Sequence, residues 1–332
     1  MEQKVLRTGA LAIICAVILR LLGSWLSTVP QSLPKQMATF MLFMQTGRVV
    51  RTEEASFSPP PTSATEPTEE TVPVTVPPPT EPERPVFSEQ DATRISITAG
   101  FSYTADLGAL ITKPLTWDLT GDAPKVLIVH SHGSESYQPT GTYQETTAYH
   151  TLNTDYNMIS IGNQVTEILD AAGISVIHDT TLHDNPSYNA SYNNSRASVQ
   201  AYLEEYPSIC LVLDLHRDSI EDEEGNQIAQ TVVAEGQTLA PLMLVVGTDY
   251  GGLTHPDWQE NLALALKLQT QLEDICPGIC RNINLRTQRF NQDLSPGAML
   301  VEVGASGNTR QQALASAQVL AQAIICLAYG SS

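Results

Sequence analysis

Basic residues are scarce in this chain. Its 332 residues hold 17 Lys and Arg against 36 Asp and Glu, a formal net charge of −19. A surface of that sign does not neutralise phosphates, which excludes nucleic acid as a partner. It equally excludes electrostatic adhesion to an anionic membrane. Cysteine is rare too: Cys15, Cys210, Cys276, Cys280 and Cys326 are too few and too scattered for a disulfide framework. No C-x-x-C pair is present to suggest a structural zinc. Cys276 and Cys280 flank Pro277-Gly278 and have the spacing for a local bridge, although two small reduced core residues are the expected reading. Aromatic content is low, at 6%, while the hydrophobic share of 42% is ordinary for a globular protein. The chain has no internal repeat. It also has no G-x-S-x-G elbow, which counts against Ser134 or Ser136 as the nucleophile of a serine hydrolase.

What is present is unevenly distributed. Lys4 and Arg7 precede an apolar run, Ala10–Leu26, interrupted by Arg20. At ~1.5 Å per residue the run spans about 26 Å, just short of a hydrocarbon core of ~30 Å. Positive charge ahead of it places the N-terminus in the cytoplasm and the rest outside. No A-x-A-like cleavage site follows, so residues 1–27 are expected to be an uncleaved, single-pass anchor. Residues 28–90 are expected to form an extracytoplasmic juxtamembrane segment and linker. Met37–Met44 is apolar and reads as a brief helix at the membrane surface. Ser56–Pro85 then carries ten of the chain's 21 prolines among Thr and Glu. Such a composition cannot build a core and predicts a disordered, stiff spacer. At ~3.1 Å per residue it reaches on the order of 90 Å.

Residues 91–332 are long enough for one sizeable core. Short strands are expected at Arg94–Ile97 and Leu115–Leu119, then a buried strand at Val126–Val129. Met158, Ile161, Val165, Ile168, Leu169 and Ala172 follow helical spacing, closed by Gly173. Ile174–Ile177 is the next strand. A helix from Ser195 to Tyr206 follows, then a strand over Cys210–Asp218. Ile228–Ala234 and Leu242–Val246 read as an antiparallel pair after the acidic turn EDEEGN. A long helix at Trp258–Cys276, strands at Ile279–Leu285 and Ala298–Val303, and a last helix capped by Asn308 or Thr309 complete the domain. Strands alternating with helices predict an α/β fold: a mostly parallel central sheet flanked by helices, with a hairpin attached.

Three of these strands deliver metal-type or proton-transfer side chains near one end. VLIVHSHGSESY carries His130, His132 and Glu135; CLVLDLHRD carries His216; AMLVEVG carries Glu302. Ligands in open α/β sheets bind just beyond the carboxyl ends of strands. The pattern therefore predicts one shared site, and a zinc hydrolase.

VLIVHSHGSESY, HDTTLHDNPSYNASYNNSR, VLDLHRD and FNQDLSPGAMLVEVGASGNT, in that order, resemble the stage II sporulation protein P family. These are membrane-anchored cell-wall hydrolases of endospore-forming bacteria, similar to the broader zinc-dependent N-acetylmuramoyl-L-alanine amidases. The resemblance covers essentially the whole domain, and the anchor and spacer agree with it. It implies cleavage of the amide joining the glycan's lactyl group to the first alanine of the stem peptide, with a second, peptide-cleaving activity. It also implies action during engulfment, between the membranes of mother cell and forespore. The partners implied are peptidoglycan, the lytic transglycosylase stage II sporulation protein D and other engulfment membrane proteins.

A catalytic zinc takes three protein ligands and keeps one position for water. His132 and His216 lie at strand ends, match histidines of the amidase pattern, and are assigned as Zn2+ ligands. Glu135 is the third, with His130 as the alternative. The broader amidases supply an acidic ligand from the start of the next helix, where this chain has Asn157, so the third position stays open. Glu302 matches the late-strand carboxylate and is assigned as the general base. Arg217 or Arg196 are candidates for stabilising the oxyanion or binding a substrate carboxylate. His178 and His183 read as loop-ordering hydrogen bonders, and His150 and His255 as surface residues. Tyr188, Tyr192, Asn291 and Asp293 are candidates for sugar or peptide contact, or plain turn formers. The competing class is a non-catalytic, membrane-tethered wall-binding or scaffold protein, in which the same side chains do no chemistry.

Overall fold

The computed structural model describes residues 84–115, 118–140 and 149–330. The expected anchor, the Met37–Met44 segment and nearly all of the Pro-rich spacer lie outside them. The strands are β1 (Ile97–Ala99), β2 (Val126–Val129), β3 (Val176–His178), β4 (Leu211–Asp218), β5 (Val232–Ala234), β6 (Gln237–Leu239), β7 (Leu242–Gly247), β8 (Ile283–Arg286) and β9 (Ala298–Ala305). The helices are α1 (Glu89–Ala92), α2 (Leu107–Ile111), α3 (Met158–Ala171), α4 (Ser191–Glu205), α5 (Trp258–Ile275) and α6 (Arg310–Tyr329).

Seven strands form one sheet in the order β1-β8-β7-β9-β4-β2-β3. Each neighbouring pair runs parallel except β7 against β9. The expected α/β architecture with a mostly parallel sheet is therefore what the chain adopts. Parallel central strands are buried on both faces, which is why β2, β4 and β7 read as unbroken aliphatic runs. On one face Ile128, Leu213, Leu215, Leu244 and Val301 pack with Val165 of α3, Leu266 of α5 and Leu320 of α6. On the other face Leu127, Val129 and Val212 pack with Val199 of α4. α6 is the one helix among the described residues long and apolar enough to cross a membrane; most of it is buried in the core against α3 and α5.

Two local expectations fail. Leu242–Val246 is not the partner of the preceding strand: β5 pairs with β6, and β7 joins the main sheet between β8 and β9. The reason is the turn. Glu235 and Gly236 both take positive φ, 51° and 78°, which is what a tight two-residue hairpin requires. The hairpin therefore closes before Pro241, and the chain is free to cross to the main sheet. No strand covers Leu115, Asp118 or Leu119. Pro114 cannot donate to a ladder, and the Asp118 carboxylate accepts from the Thr120 N–H at 2.9 Å, turning the chain instead. The short helix α2, capped by Asp106, was not foreseen.

β2, β4 and β9 run side by side, so their carboxyl ends share one edge. His216 is the direct Cα partner of Glu302. A register shift between His216 and Asp218 marks a bulge, a device that re-aims side chains at sheet rims.

Candidate active site

Period-two alternation sorts the candidates by face. Leu213 and Leu215 point into the helix-covered core, so Asp214 and His216 point the other way, as does Glu302 between Val301 and Val303. His132 follows β2 on the turn at the same edge, with its ring centroid 5.4 Å from that of His216. Its ring is stacked on Tyr188 at 4.1 Å and meets Tyr192 edge-on at 5.4 Å. His132 Nδ1 is buried without a hydrogen-bond partner. Burial and the neighbouring His216 both lower its pKa.

His216 lies between two carboxylates. Its Nδ1 is 3.5 Å from Glu135 Oε2, and its Nε2 is 2.9 Å from Asp214 Oδ1. Burial opposes charge on this imidazole, but Asp214 and Glu135 outweigh it and hold the pKa well above the usual range. Asp214 is itself fixed by the Ser131 N–H at 2.8 Å and the Ser131 hydroxyl at 2.6 Å. Burial raises its pKa, yet His216 and Ser131 bring it down to about 2. Glu135 is held by Arg217, whose backbone N–H donates to Oε2 at 3.3 Å. Burial raises the Glu135 pKa, and His216 and Arg217 more than reverse this.

Glu302 is the exception among the acids. Its Oε2 is buried with no hydrogen-bond partner. Burial, helped by the charge of Glu135, pushes its pKa up to about 8.

Among the described residues no three His, Cys, Asp or Glu side chains form a ready-made metal cage. Two of the three pairwise spacings nonetheless suit one ion. With Zn–N and Zn–O near 2.0–2.2 Å and tetrahedral angles, two donor atoms stand about 3.4 Å apart and two ligand rings about 5 Å apart. Glu135 Oε2 and His216 Nδ1 are 3.5 Å apart, and the His132 and His216 rings 5.4 Å. Asp214, 2.9 Å from the other ring nitrogen, is a charged neighbour in the place where a carboxylate orients a ligand histidine. Two imidazoles and a carboxylate therefore fit a zinc ion in chemistry and spacing.

The other candidates are placed elsewhere. His130 faces the opposite side of the sheet: Nδ1 meets Leu215 O at 3.0 Å and Nε2 meets His178 Nε2 at 2.8 Å. Both nitrogens are engaged there, by groups outside the cluster. Arg217 is buried and clamps two loops: Nε donates to Ser136 O at 3.0 Å and Nη2 to Tyr149 O at 2.8 Å. Arg196 is committed to Asp293 through two bonds of 2.8 and 2.7 Å. That pair and Asn291, which donates to Tyr192 O at 2.8 Å, tie the loop before β9 to α4. Asn157 is the N-cap of α3. The Ser134 hydroxyl donates to Asp184 at 2.6 Å and not to an imidazole, so it has no activating base. His183 orders its loop as expected, 3.1 Å from Asp179. Two expectations are corrected. His255 is fully buried against Asn261 at 3.0 Å, and His150 is half-buried with its ring 6.0 Å from Tyr188, strand-paired with Glu135. Cys276 and Cys280 are free thiols.

Asp214 was missed, although D-x-H within one strand places both side chains on one face and signals the pair.

Three solved structures are among those to which the chain shows a likeness. They are the N-acetylmuramoyl-L-alanine amidase AmiC2 of Nostoc punctiforme (14% identity, 62% of this chain and 97% of that one, TM-score 0.36), the N-acetylmuramoyl-L-alanine amidase from Clostridium difficile 630 (16%, 62% and 96%, TM-score 0.36), and Ami1, the N-acetylmuramyl-L-alanine amidase from Mycobacterium abscessus (12%, 62% and 99%, TM-score 0.35). In sequence the chain is 26% identical over 204 residues to the stage II sporulation protein P of Bacillus subtilis strain 168. That match takes in 58% of this chain and 48% of the relative, so the chain spans about half the relative's length. The model of the stage II sporulation protein P family matches residues 33–325. With nearly the whole sequence inside that match, the chain belongs to the stage II sporulation protein P family.

Proposed function

We propose that the described domain is a sporulation cell-wall hydrolase that cuts the N-acetylmuramoyl-L-alanine amide of peptidoglycan. The observation that carries the reading is the juxtaposition of Glu302, buried with an unpartnered oxygen and a pKa near 8, with two imidazoles and Glu135 at one sheet edge. His132, His216 and Glu135 are the residues that would hold zinc. When bound there, zinc supplies Lewis acidity and lowers the pKa of its water towards ~7. With positive charge held there, Glu302 would have its pKa drawn down, into the range of a working base.

The chain's own residues do the rest. Asp214 orients His216, and Arg217 holds Glu135 in place. Tyr188 and Tyr192 cover His132 and restrict solvent on that side. Glu302 takes one proton from the attacking water as its oxygen bonds to the amide carbon. The C–N bond then breaks, and Glu302 returns the proton to the alanine nitrogen, leaving a free stem-peptide amine and a lactyl carboxylic acid whose remaining proton passes to solvent. The anchor, the linker and the partnership with stage II sporulation protein D, a lytic transglycosylase, belong to the same proposal: a catalytic domain tethered outside the membrane to the wall it cuts.

The test is muropeptide release and bound metal measured together on the purified chain. About one zinc per chain, with release abolished by chelator and in Glu302→Gln and His132→Ala, is expected. Release that survives chelation refutes the zinc assignment. Metal bound without release by the wild type, in the presence of its partner, leaves a wall-binding protein.

A further inference from the structure

A cavity of about 330 Å³ opens beside the site and takes no part in the chemistry above. Its size falls in the range of small-ligand clefts, about 300–1,000 Å³. Thr98, Gln230, Met243, Arg281, Asn282 and Asn284 line it.

Strand register explains its position. Met243 of β7 is the direct partner of Glu302 across the β7–β9 pair. Asn284 of β8 is the partner of Val245 on one side and of Thr98 on the other. Directly paired residues share a face, as do residues two apart on a strand. Thr98, Asn282, Asn284, Met243, Glu302 and His216 therefore stand on one face of the sheet. Ile283 and Leu285 turn the other way and are fully buried. The floor runs from Met243, the neighbour of Glu302, to edge strand β1.

The lining is suited to hydrogen bonding. Asn282, just before β8, and Asn284 within it are two residues apart, a backbone repeat of about 6.7 Å in extended chain, the same repeat at which an extended peptide presents its own amides. The Asn282 amide donates to Thr98 Oγ1 at 3.1 Å, which leaves its oxygen to accept. Among the described residues the Asn284 carboxamide has no hydrogen-bond partner. Arg281 bonds Asp218 through Nη1 at 2.5 Å, and a guanidinium has further N–H donors. No aromatic ring lines the cavity, so a sugar has no face to stack on there. The rings of Tyr188 and Tyr192 lie against the imidazoles instead, Tyr188 on His132 and Tyr192 beside His132 and His216.

We propose that this cavity binds the stem-peptide arm of peptidoglycan, with Asn282 and Asn284 hydrogen-bonding its extended backbone, while the glycan arm lies towards Tyr188. The assignment rests on the hydrolase reading for its choice of ligand, and its test does not depend on turnover.

The probe is a synthetic tripeptide beginning with L-alanine, titrated into the full-length chain in detergent with binding read by calorimetry. Binding to the wild type, weakened about tenfold or more in Asn282→Ala/Asn284→Ala, is expected from two lost hydrogen bonds. Thr98→Trp, which fills the cavity from the exposed edge strand, is expected to weaken it as well. Thermal melting of each variant checks that the fold is intact. Absence of tripeptide binding, or equal binding by wild type and both variants, overturns the proposal. So does an N-acetylglucosamine oligosaccharide that loses affinity in the same variants while the tripeptide does not. Peptidoglycan digestion run in parallel keeps the two readings apart: tripeptide bound at the asparagines with no wall cleavage overturns the hydrolase reading alone.

Discussion

Glu302 and Asp214 are carboxylic acids on adjacent strands of one sheet, yet their pKa values are driven apart, to about 8 and about 2. The difference is their partners: Asp214 has two Ser131 donors and His216, whereas one oxygen of Glu302 has none. This has a pH signature in the chelator-treated protein. Glu302 binds its proton up to about pH 8 when folded, against an ordinary value of 4.5. Between those values the folded state holds more protons than the unfolded state, so this group's contribution to stability falls as pH rises. Glu302→Gln removes the effect. Its stability relative to wild type should climb between about pH 4.5 and about pH 8 and be flat on either side. Melting temperatures that track each other in parallel across that range would refute the assignment. Gly162 makes a second case at this scale. A Cβ there would lie 2.4 Å from His178 Nε2 and 2.7 Å from His130 Nε2. Those two rings are locked to each other at 2.8 Å, so neither can give way. Gly162→Ala should cost on the order of 2 kcal/mol by urea denaturation. A neutral outcome would mean the histidine pair is free to move.

At the scale of elements, the site depends on where strands end and what pins the loops after them. The bulge in β4 lets His216 face the cluster while Arg217, next in sequence, reaches Ser136 and Tyr149. Arg217 thereby sets the loop that carries Glu135. α6 packs on α3 and α5 beneath the sheet. Its start is a complete capping box: Thr309 Oγ1 accepts from Gln312 N at 3.2 Å, and Gln312 Oε1 accepts from Thr309 N at 3.1 Å. Thr309→Ala should lower stability by about 1 kcal/mol, with metal content unchanged. Asn308, the other cap candidate, serves the loop instead, accepting from Ala305 N at 2.9 Å and donating to Gln230 O at 2.7 Å.

Across the molecule, three chain segments far apart in sequence meet at one sheet edge, and a metal ion held by His132, Glu135 and His216 would link two of them. An ion that binds the folded state and not the unfolded one stabilises by mass action, about 2.7 kcal/mol at a hundred times its Kd. Zinc should therefore raise the melting temperature of the wild-type chain. The rise should be lost in His132→Ala and in His216→Ala but kept in His130→Ala, because His130 faces the other side of the sheet. An undiminished rise in the first two variants would place the ion elsewhere.

The sequence by itself determined the α/β class, most helices, the strands that carry His132, His216 and Glu302, and the family. These follow from hydrophobic period, caps and motif order, which are local properties. Only the tertiary structure decided the partner of β7, the face on which His130 lies, the buried engagements of Arg217 and Arg196, and the part played by Asp214. Each of these depends on register between strands distant in sequence, or on which donor reaches which acceptor across the sheet, and no local pattern encodes such pairings. The hairpin error is the plainest instance: the aliphatic run Leu242–Val246 marked a strand correctly, but its neighbours were chosen by the turn at Glu235-Gly236 and by packing against β8 and β9.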